Sequence, residues 1–170
     1  MNSKELQLII KCGETSTVQF KECFPNQDSI AAEMVAMSNA RGGMILFGIK
    51  DKTGEIIGLS YQEIQQLNSI LANIATNLLR PVIYIQTETV IVDERSLLIA
   101  HIAEGDNKPY KDLNGIIWTK QGEDKRKVME NSEIMRLFQC SGILYADEQP
   151  IPFTSEKDIN GYALDNFIRK

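Results

Sequence analysis

The segment Met44-Ile45-Leu46-Phe47-Gly48-Ile49 is almost wholly apolar, follows the glycine pair Gly42-Gly43 and runs into the turn-forming Asp51-Lys52-Thr53-Gly54. A run this short and this apolar, closed by turn residues at both ends, suits a central strand covered on both faces. The chain therefore needs packing layers on either side of a sheet. Just upstream, Ile30, Met34, Val35 and Met37 recur at helical spacing behind Asp28 or Ser29, either of which can cap a helix. Gly42 stops that helix. Earlier still, Thr17-Val18-Gln19-Phe20-Lys21 alternates apolar and polar side chains, the period of a half-buried strand, and Pro25-Asn26-Gln27 ends it. The lead-in from Glu5 to Cys12 is apolar-rich, fits helix or strand, and breaks at Gly13.

Beyond Asp51 the pattern predicts a short strand around Ile56-Ile57 and a helix from Tyr61 to Leu79. The stripe of that helix is Ile64, Leu67, Ile70, Leu71, Ile74 and Leu78, and Arg80-Pro81 closes it. Ile83 to Val92 and Leu97 to Ala103 flank Asp93-Glu94-Arg95-Ser96 and read as a hairpin. A loop holding Lys108-Pro109-Tyr110-Lys111 leads to a strand from Gly115 to Lys120, then to a basic loop and a helix through Phe138 capped by Asn131 or Ser132. These elements predict an α/β (α+β) fold, a single domain with a mixed, mostly antiparallel sheet flanked by helices. With 170 residues, 43% of them hydrophobic, one core is what the chain can bury. The expected domain is 1–140. Residues 141–170 read as a linker, signalled by Gln149-Pro150-Ile151-Pro152, and the start of a following region whose helix begins at Ser155-Glu156-Lys157-Asp158 and ends in Phe167-Ile168.

Three cysteines, Cys12, Cys23 and Cys140, stand in no metal-ligand spacing, and His101 is the one histidine. A reduced, cytoplasmic setting is expected. The start Met1-Asn2-Ser3-Lys4-Glu5-Leu6 lacks a secretory pattern, and no stretch is long and apolar enough for a membrane span. A net charge of −5 argues against a broad phosphate-binding surface. Residues 105–127 nevertheless carry Lys108, Lys111, Lys120, Lys125, Arg126 and Lys127 against Asp106, Asp112, Glu123 and Asp124, a local basic excess. Tyr110 and Trp118 lie among these cations, and basic residues interleaved with aromatics suit a single-stranded backbone and its bases. Solvated loops are the commoner explanation of such a segment. No Gly-x-x-x-x-Gly-Lys-Ser/Thr occurs, so no nucleotide-triphosphate loop is indicated.

The order of the motifs resembles one known family. Glu14-Thr15-Ser16-Thr17-Val18-Gln19-Phe20-Lys21 looks like its signature of an acidic residue followed five positions later by Glu-Phe-Lys. Met37-Ser38-Asn39-Ala40-Arg41-Gly42-Gly43-Met44-Ile45-Leu46-Phe47-Gly48-Ile49-Lys50-Asp51 resembles its glycine-strand-aspartate core. Lys108-Pro109-Tyr110 and Trp118-Thr119-Lys120-Gln121-Gly122 resemble its proline loop and a later strand. The likeness covers roughly 5–140 and is to the Schlafen-type, AlbA-like family, also described as a divergent-AAA DNA-binding domain. That family furnishes modules of larger bacterial transcriptional-regulator and helicase-related proteins and of the animal Schlafens.

The resemblance implies a module that binds DNA or RNA, with phosphate contacts from Lys21, Lys108, Lys111, Lys120 and Arg126 and aromatic support from Tyr110 and Trp118. In Schlafen-type nucleases it also implies a three-carboxylate site for Mg²⁺- or Mn²⁺-assisted RNA cleavage, falling here on Glu14, position 19 and Asp51. Position 19 is Gln19. Hard divalent cations draw affinity from anionic oxygens, so Glu14 and Asp51 alone would hold such a metal weakly. Binding ranks above cleavage on that ground, and no cofactor is expected. A third reading is a protein-interaction module in which the acidic surface and the helix from Tyr61 mediate partner contacts or homo-oligomerisation. Several of these residues also have plain structural readings. Gly42-Gly43 can cradle phosphate or simply end a helix and enter a strand. Asn39 and Asp51 can be cap and turn residues bonding their own backbone, and His101 a satisfied face residue.

Overall fold

The computed structural model describes residues 1–24, 26–142, 153, 155–158 and 160–168. The elements are α1 (Ser3–Cys12), β1 (Val18–Lys21), α2 (Gln27–Asn39), β2 (Gly43–Phe47), α3 (Tyr61–Asn73), β3 (Leu79–Arg80), β4 (Ile85–Val92), β5 (Arg95–Ile102), β6 (Lys111–Asp112), β7 (Trp118–Gln121), β8 (Asp124–Lys127), α4 (Asn131–Cys140) and α5 (Gly161–Ile168). Four strands make the main sheet in the order β1-β2-β5-β4. β1 and β2 run parallel, while β2–β5 and β5–β4 are antiparallel. The predicted mixed, mostly antiparallel sheet flanked by helices is thus the observed architecture, with β2 interior to it.

Alternation along β2 sends its side chains to two cores. Ile45 and Phe47 join Leu98, Ala100 and Ile102 of β5 beneath α2 and α3. Leu46 joins Val18 and Phe20 of β1, Val90 and Val92 of β4, and Leu97 and Ile99 of β5, where α1 contributes Leu6. α2 is buried from Ile30 through Asn39 on every side. A helix covered all round must be apolar all round or supply partners for whatever is not. It contains one charged side chain in that span, Glu33.

Local chemistry accounts for most element ends. Asn2 and Ser60 form capping boxes with Glu5 and Glu63. α2 is capped by Asn26, whose Oδ1 accepts from the Ser29 N–H at 2.7 Å, and not by Asp28 or Ser29. The cap therefore falls two residues before Asp28, which places Asp28 in the first turn, where its charge favours the helix dipole. α4 starts after Glu130 without a side-chain cap. The β4–β5 hairpin turns on Asp93 and Glu94, both at positive φ (48° and 62°), the conformation of a two-residue connection whose twist matches the strands.

Three expected elements differ. The strand around Ile56-Ile57 is a single bridge between Ile49 and Ile56, because Gly54 and Gly58 bend the chain away. The long helix ends at Asn73 and loosens into one wider π turn, Ile74–Leu78, before Leu79 leaves as β3 to pair with β6. The basic loop is a strand: Asp124–Lys127 pairs with Trp118–Gln121 as a hairpin, so its alternate side chains face opposite ways. The Gln149–Pro152 linker signal lies outside the described residues. In the tail, Glu156–Asp158 forms a short 3-10 turn ahead of α5. Among the described residues no helix is long and apolar enough to cross a membrane.

The glycine pair is explained by close backbone approach. A Cβ on Gly42 (φ 72°) would lie 2.6 Å from the Ile102 carbonyl oxygen, and one on Gly43 would lie 2.5 Å from that of Thr17. Gly42 donates its N–H to Met37 O, closing α2, and Met44 donates to Thr17 O, opening the parallel ladder. Gly42→Ala and Gly43→Ala should therefore each destabilise the domain by roughly 2 kcal/mol or more, read as a lowered urea midpoint at unchanged slope. Gly115→Ala, where a Cβ meets nothing within 4 Å, should cost less.

Candidate nucleic-acid interface

The parallel pairing of β1 with β2 sets Gln19 beside Ile45 and Lys21 beside Phe47. With Ile45 and Phe47 on the α2 side, Gln19 and Lys21 project to that same side, on the edge strand of the sheet. The chain leaving β2 brings Asp51 next to them, and the β7–β8 hairpin packs against α2. The result is an open cleft of about 400 Å³ lined by Glu14, Gln19, Lys21, Glu33, Asp51 and Lys52, with Trp118, Glu123, Asp124 and Lys125 from the hairpin side. The three positions singled out by the first motif and the glycine-strand-aspartate unit thus share one wall.

Within this cleft the polar groups are matched to one another. Glu14 Oε1 accepts from the Phe20 N–H (2.8 Å) and from the Gln19 amide. Asp51 accepts from Lys21 Nζ (2.9 Å) and from the Glu22 N–H (3.2 Å), so it bonds the neighbouring strand and not its own turn. Lys120 donates to Gln19 Oε1 (2.8 Å), to Glu33 Oε1 (2.7 Å) and to the Glu123 carbonyl. Lys125 takes the other Glu33 oxygen at 3.0 Å. The Glu33 and Lys120 side chains are 4% and 1% exposed, which makes this a buried ion pair.

Asn39, at the end of α2, is buried and bonds across the fold. Its Nδ2 donates to the carbonyls of Tyr110 and Trp118 (both 2.8 Å), and its Oδ1 accepts from the Tyr110 N–H (2.7 Å). One amide therefore anchors the loop before β6 and the first residue of β7. The cap reading of Asn39 does not hold.

The predicted phosphate ligands do not form a single face. Lys21 and Trp118 line the cleft, whereas Lys120 lies buried behind its wall on Gln19 and Glu33. Lys108 is buried, donating to Ala40 O (3.0 Å) and pairing with Glu104. Tyr110 belongs to the main core. Lys111 is exposed on β6, at a separate, more apolar cleft of about 520 Å³ that includes Arg80, Ile134 and Phe138. Arg126 clasps α4 through both oxygens of Glu133, at 3.0 and 2.6 Å, and this hydrogen-bonded carboxylate raises the guanidinium's already high pKa. Buried carbonyls and carboxylates have claimed cations that the sequence alone presented as solvated. His101 lies at half-exposure beside Glu88 (2.8 Å), whose carboxyl the Met1 ammonium and His101 hold below the usual carboxylate range.

Four contributors escaped the sequence reading. Glu33 was signalled only by its lone charge inside Ile30-Ala31-Ala32-Glu33-Met34-Val35-Ala36-Met37. Lys125 counted only toward local charge. Lys52 sits at positive φ (71°) on the cleft rim with its side chain exposed. Lys127 adds a cation 5.5 Å from the Trp118 ring centroid.

Comparison with known proteins finds that the family described as Schlafen, AlbA_2 matches residues 14–130. An uncharacterized ATP-binding protein of Ureaplasma parvum is 31% identical over 142 residues, covering 80% of this chain and 38% of that protein's length. Among solved structures, a Corynebacterium diphtheriae protein superposes at a TM-score of 0.58 with 21% identity, over 95% of this chain and 36% of its own. The N-terminal domain of an ATP-dependent DNA helicase RecG-related protein from Nitrosomonas europaea superposes at 0.52 with 18% identity, over 77% of this chain and 96% of its own. At these identities the two structures bear on the fold.

The Asn39 bracket makes a sharp prediction. Asn39→Ala strands three buried backbone groups of residues 110 and 118 and should cost about 3 kcal/mol in stability. Trp118 fluorescence should shift at denaturant concentrations well below the global transition, since β7 loses its anchor to α2.

Proposed function

The chain belongs to the Schlafen, AlbA_2 family, and from that premise we propose that it is a nucleic-acid-binding module of a larger regulatory or helicase-related protein. Its partner is DNA or RNA met in the cytoplasm. The observation that carries the reading is the convergence of the family's motif positions, Glu14, Gln19, Lys21 and Asp51, on one cleft bordered by the basic β7–β8 hairpin. The helicase-related neighbour and the partial coverage of longer relatives support a module within a larger protein.

The mechanism is positioning by phosphate contact. Lys52 is an exposed cation on the cleft wall, Lys127 is exposed above the Trp118 ring, and Lys125 presents a quarter of its side chain to solvent while pairing with Glu33. Trp118, half-buried beneath Lys127, offers an aromatic edge and face between them. Glu14, Asp51, Glu123 and Asp124 line the same cleft, so the local potential is close to balanced. Affinity therefore rests on a few contacts and not on a strong field. Such a site reads backbone shape and leaves sequence preference to neighbouring regions of the protein.

Fluorescence anisotropy with labelled single-stranded and duplex DNA and RNA tests this. Binding should appear at low ionic strength and weaken linearly in log–log salt plots with a slope of about −2, the value for two to three phosphate contacts. Lys52→Glu and Lys127→Glu should each weaken it about threefold to tenfold. An absence of salt-dependent binding to all four probes would overturn the proposal.

A further inference from the structure

The family likeness implies a divalent metal held by carboxylates at positions 14, 19 and 51, and the residues present do not fit one. Glu14 is engaged by the Gln19 amide and the Phe20 N–H, and Asp51 by the Lys21 ammonium and the Glu22 N–H. Gln19 brings a neutral oxygen, and that oxygen already accepts from Lys120. Among the described residues no three Asp, Glu, His or Cys side chains come together in a way that could hold a metal ion.

We infer that the cleft carries its own tethered cation: the Lys120 ammonium, caged behind Gln19, supplies next to the Glu14–Gln19–Asp51 wall the positive charge a bound metal would bring, and the site works without divalent ions. An ammonium has three protons to donate. Here it meets three oxygens, Gln19 Oε1 at 2.8 Å, Glu33 Oε1 at 2.7 Å and the Glu123 carbonyl, in an environment that leaves the side chain 1% exposed. That is an oxygen cage around a unit positive charge, built from an amide, a carboxylate and a main-chain carbonyl. These donor types are also those that hard cations take. The cage is linked through Gln19 to Glu14, so the positive charge reaches into the wall where the family's carboxylates stand.

A covalently tethered cation cannot be diluted away. A divalent ion entering this wall would have to expel the ammonium from its cage or sit beside it, against like-charge repulsion in a partly buried site. The Gln19 amide is the matching change: a carboxylate at position 19 would set a second anion against Glu14, whereas the amide donates to Glu14 and accepts from Lys120 at once. Position 19 thus joins the two halves of one metal-independent network. This inference does not depend on nucleic-acid binding, and its test reads metal uptake alone.

Mn²⁺ titration followed by electron paramagnetic resonance provides that test on the full chain, with thermal melting in parallel. The wild-type chain should leave the free-Mn²⁺ signal unchanged at millimolar metal and show no Mn²⁺-dependent rise in Tm. Lys120→Ala empties the cage and leaves Glu33 facing Lys125 alone. It should bind Mn²⁺ about tenfold or more tightly than wild type and recover part of its lost Tm on adding the metal. Lys120→Arg, which keeps the charge, should behave as wild type in the Mn²⁺ titration. Stoichiometric Mn²⁺ uptake by the wild-type chain would overturn the inference even if Lys120→Ala does not fold. So would a folded Lys120→Ala that takes up no more metal than wild type.

Discussion

Glu33 is a carboxylate in the middle of a helix that is buried on all sides, and much of the molecule's shape follows from the need to neutralise it. An uncompensated charge in such a position would cost several kcal/mol. No cation lies within α2 itself, so the compensation has to arrive from elsewhere in the chain. It arrives from β7 and β8: Lys120 on one carboxylate oxygen and Lys125 on the other. The hairpin that carries them is two short strands apart from the main sheet, and Trp118, packed against the main core, is the one large apolar side chain of its strands. A buried ion pair adds little net stability relative to an apolar contact, but it penalises every arrangement that leaves one partner alone. Here that penalty selects the hairpin's place against the middle of α2.

A second clamp of the same kind sits six residues along the helix. Asn39 holds the backbone of Tyr110 and Trp118 with three hydrogen bonds. Tyr110 fills the main core, and a Cβ at Gly105 would fall 2.1 Å from its ring. Lys108 closes the same loop through Ala40 and Glu104. α2 therefore serves as the organiser of the long segment between β5 and α4. The cleft is the seam between what the sheet edge presents, Gln19 and Lys21, and what α2 draws down onto it.

How much of this is legible in the amino-acid order depends on the range of the interaction. The buried central strand was readable because six adjacent apolar residues need no distant partner to explain them. The β4–β5 hairpin and the mixed sheet followed from local period and turn chemistry. The cap at Asn26, the π turn after Asn73 and the strand character of Asp124–Lys127 were misread or missed. In each of these a tertiary contact, or a choice between neighbouring polar residues, overrode local pattern. The candidate site shows the same division more strongly. Glu14, Gln19, Lys21 and Asp51 could be named from motif order, and they do share a wall. Lys108, Tyr110 and Arg126 could not be told from surface residues, since a lysine beside a loop proline gives no sign that its ammonium will be buried on a helix-terminal carbonyl. Glu33 gave a sign, one acid among seven apolar or small neighbours, but its meaning lies about 90 residues away in Lys120 and Lys125.

Functionally, the same network that orders the cleft defines its chemistry. Charges that hold one another across the seam fix the lining of the cleft, with Lys52 exposed on its rim and Lys127 exposed beside Trp118. The claim on which the rest depends is that Glu33 and Lys120 are energetically coupled, so that the hairpin is held by charge pairing and not merely by contact. A double-mutant cycle with Glu33→Gln and Lys120→Met, followed by urea denaturation, measures this directly. Each single change should destabilise by about 3 kcal/mol and the pair by much less than the sum, a coupling of about 2 kcal/mol or more. Additive effects, within about 0.5 kcal/mol, would contradict the account.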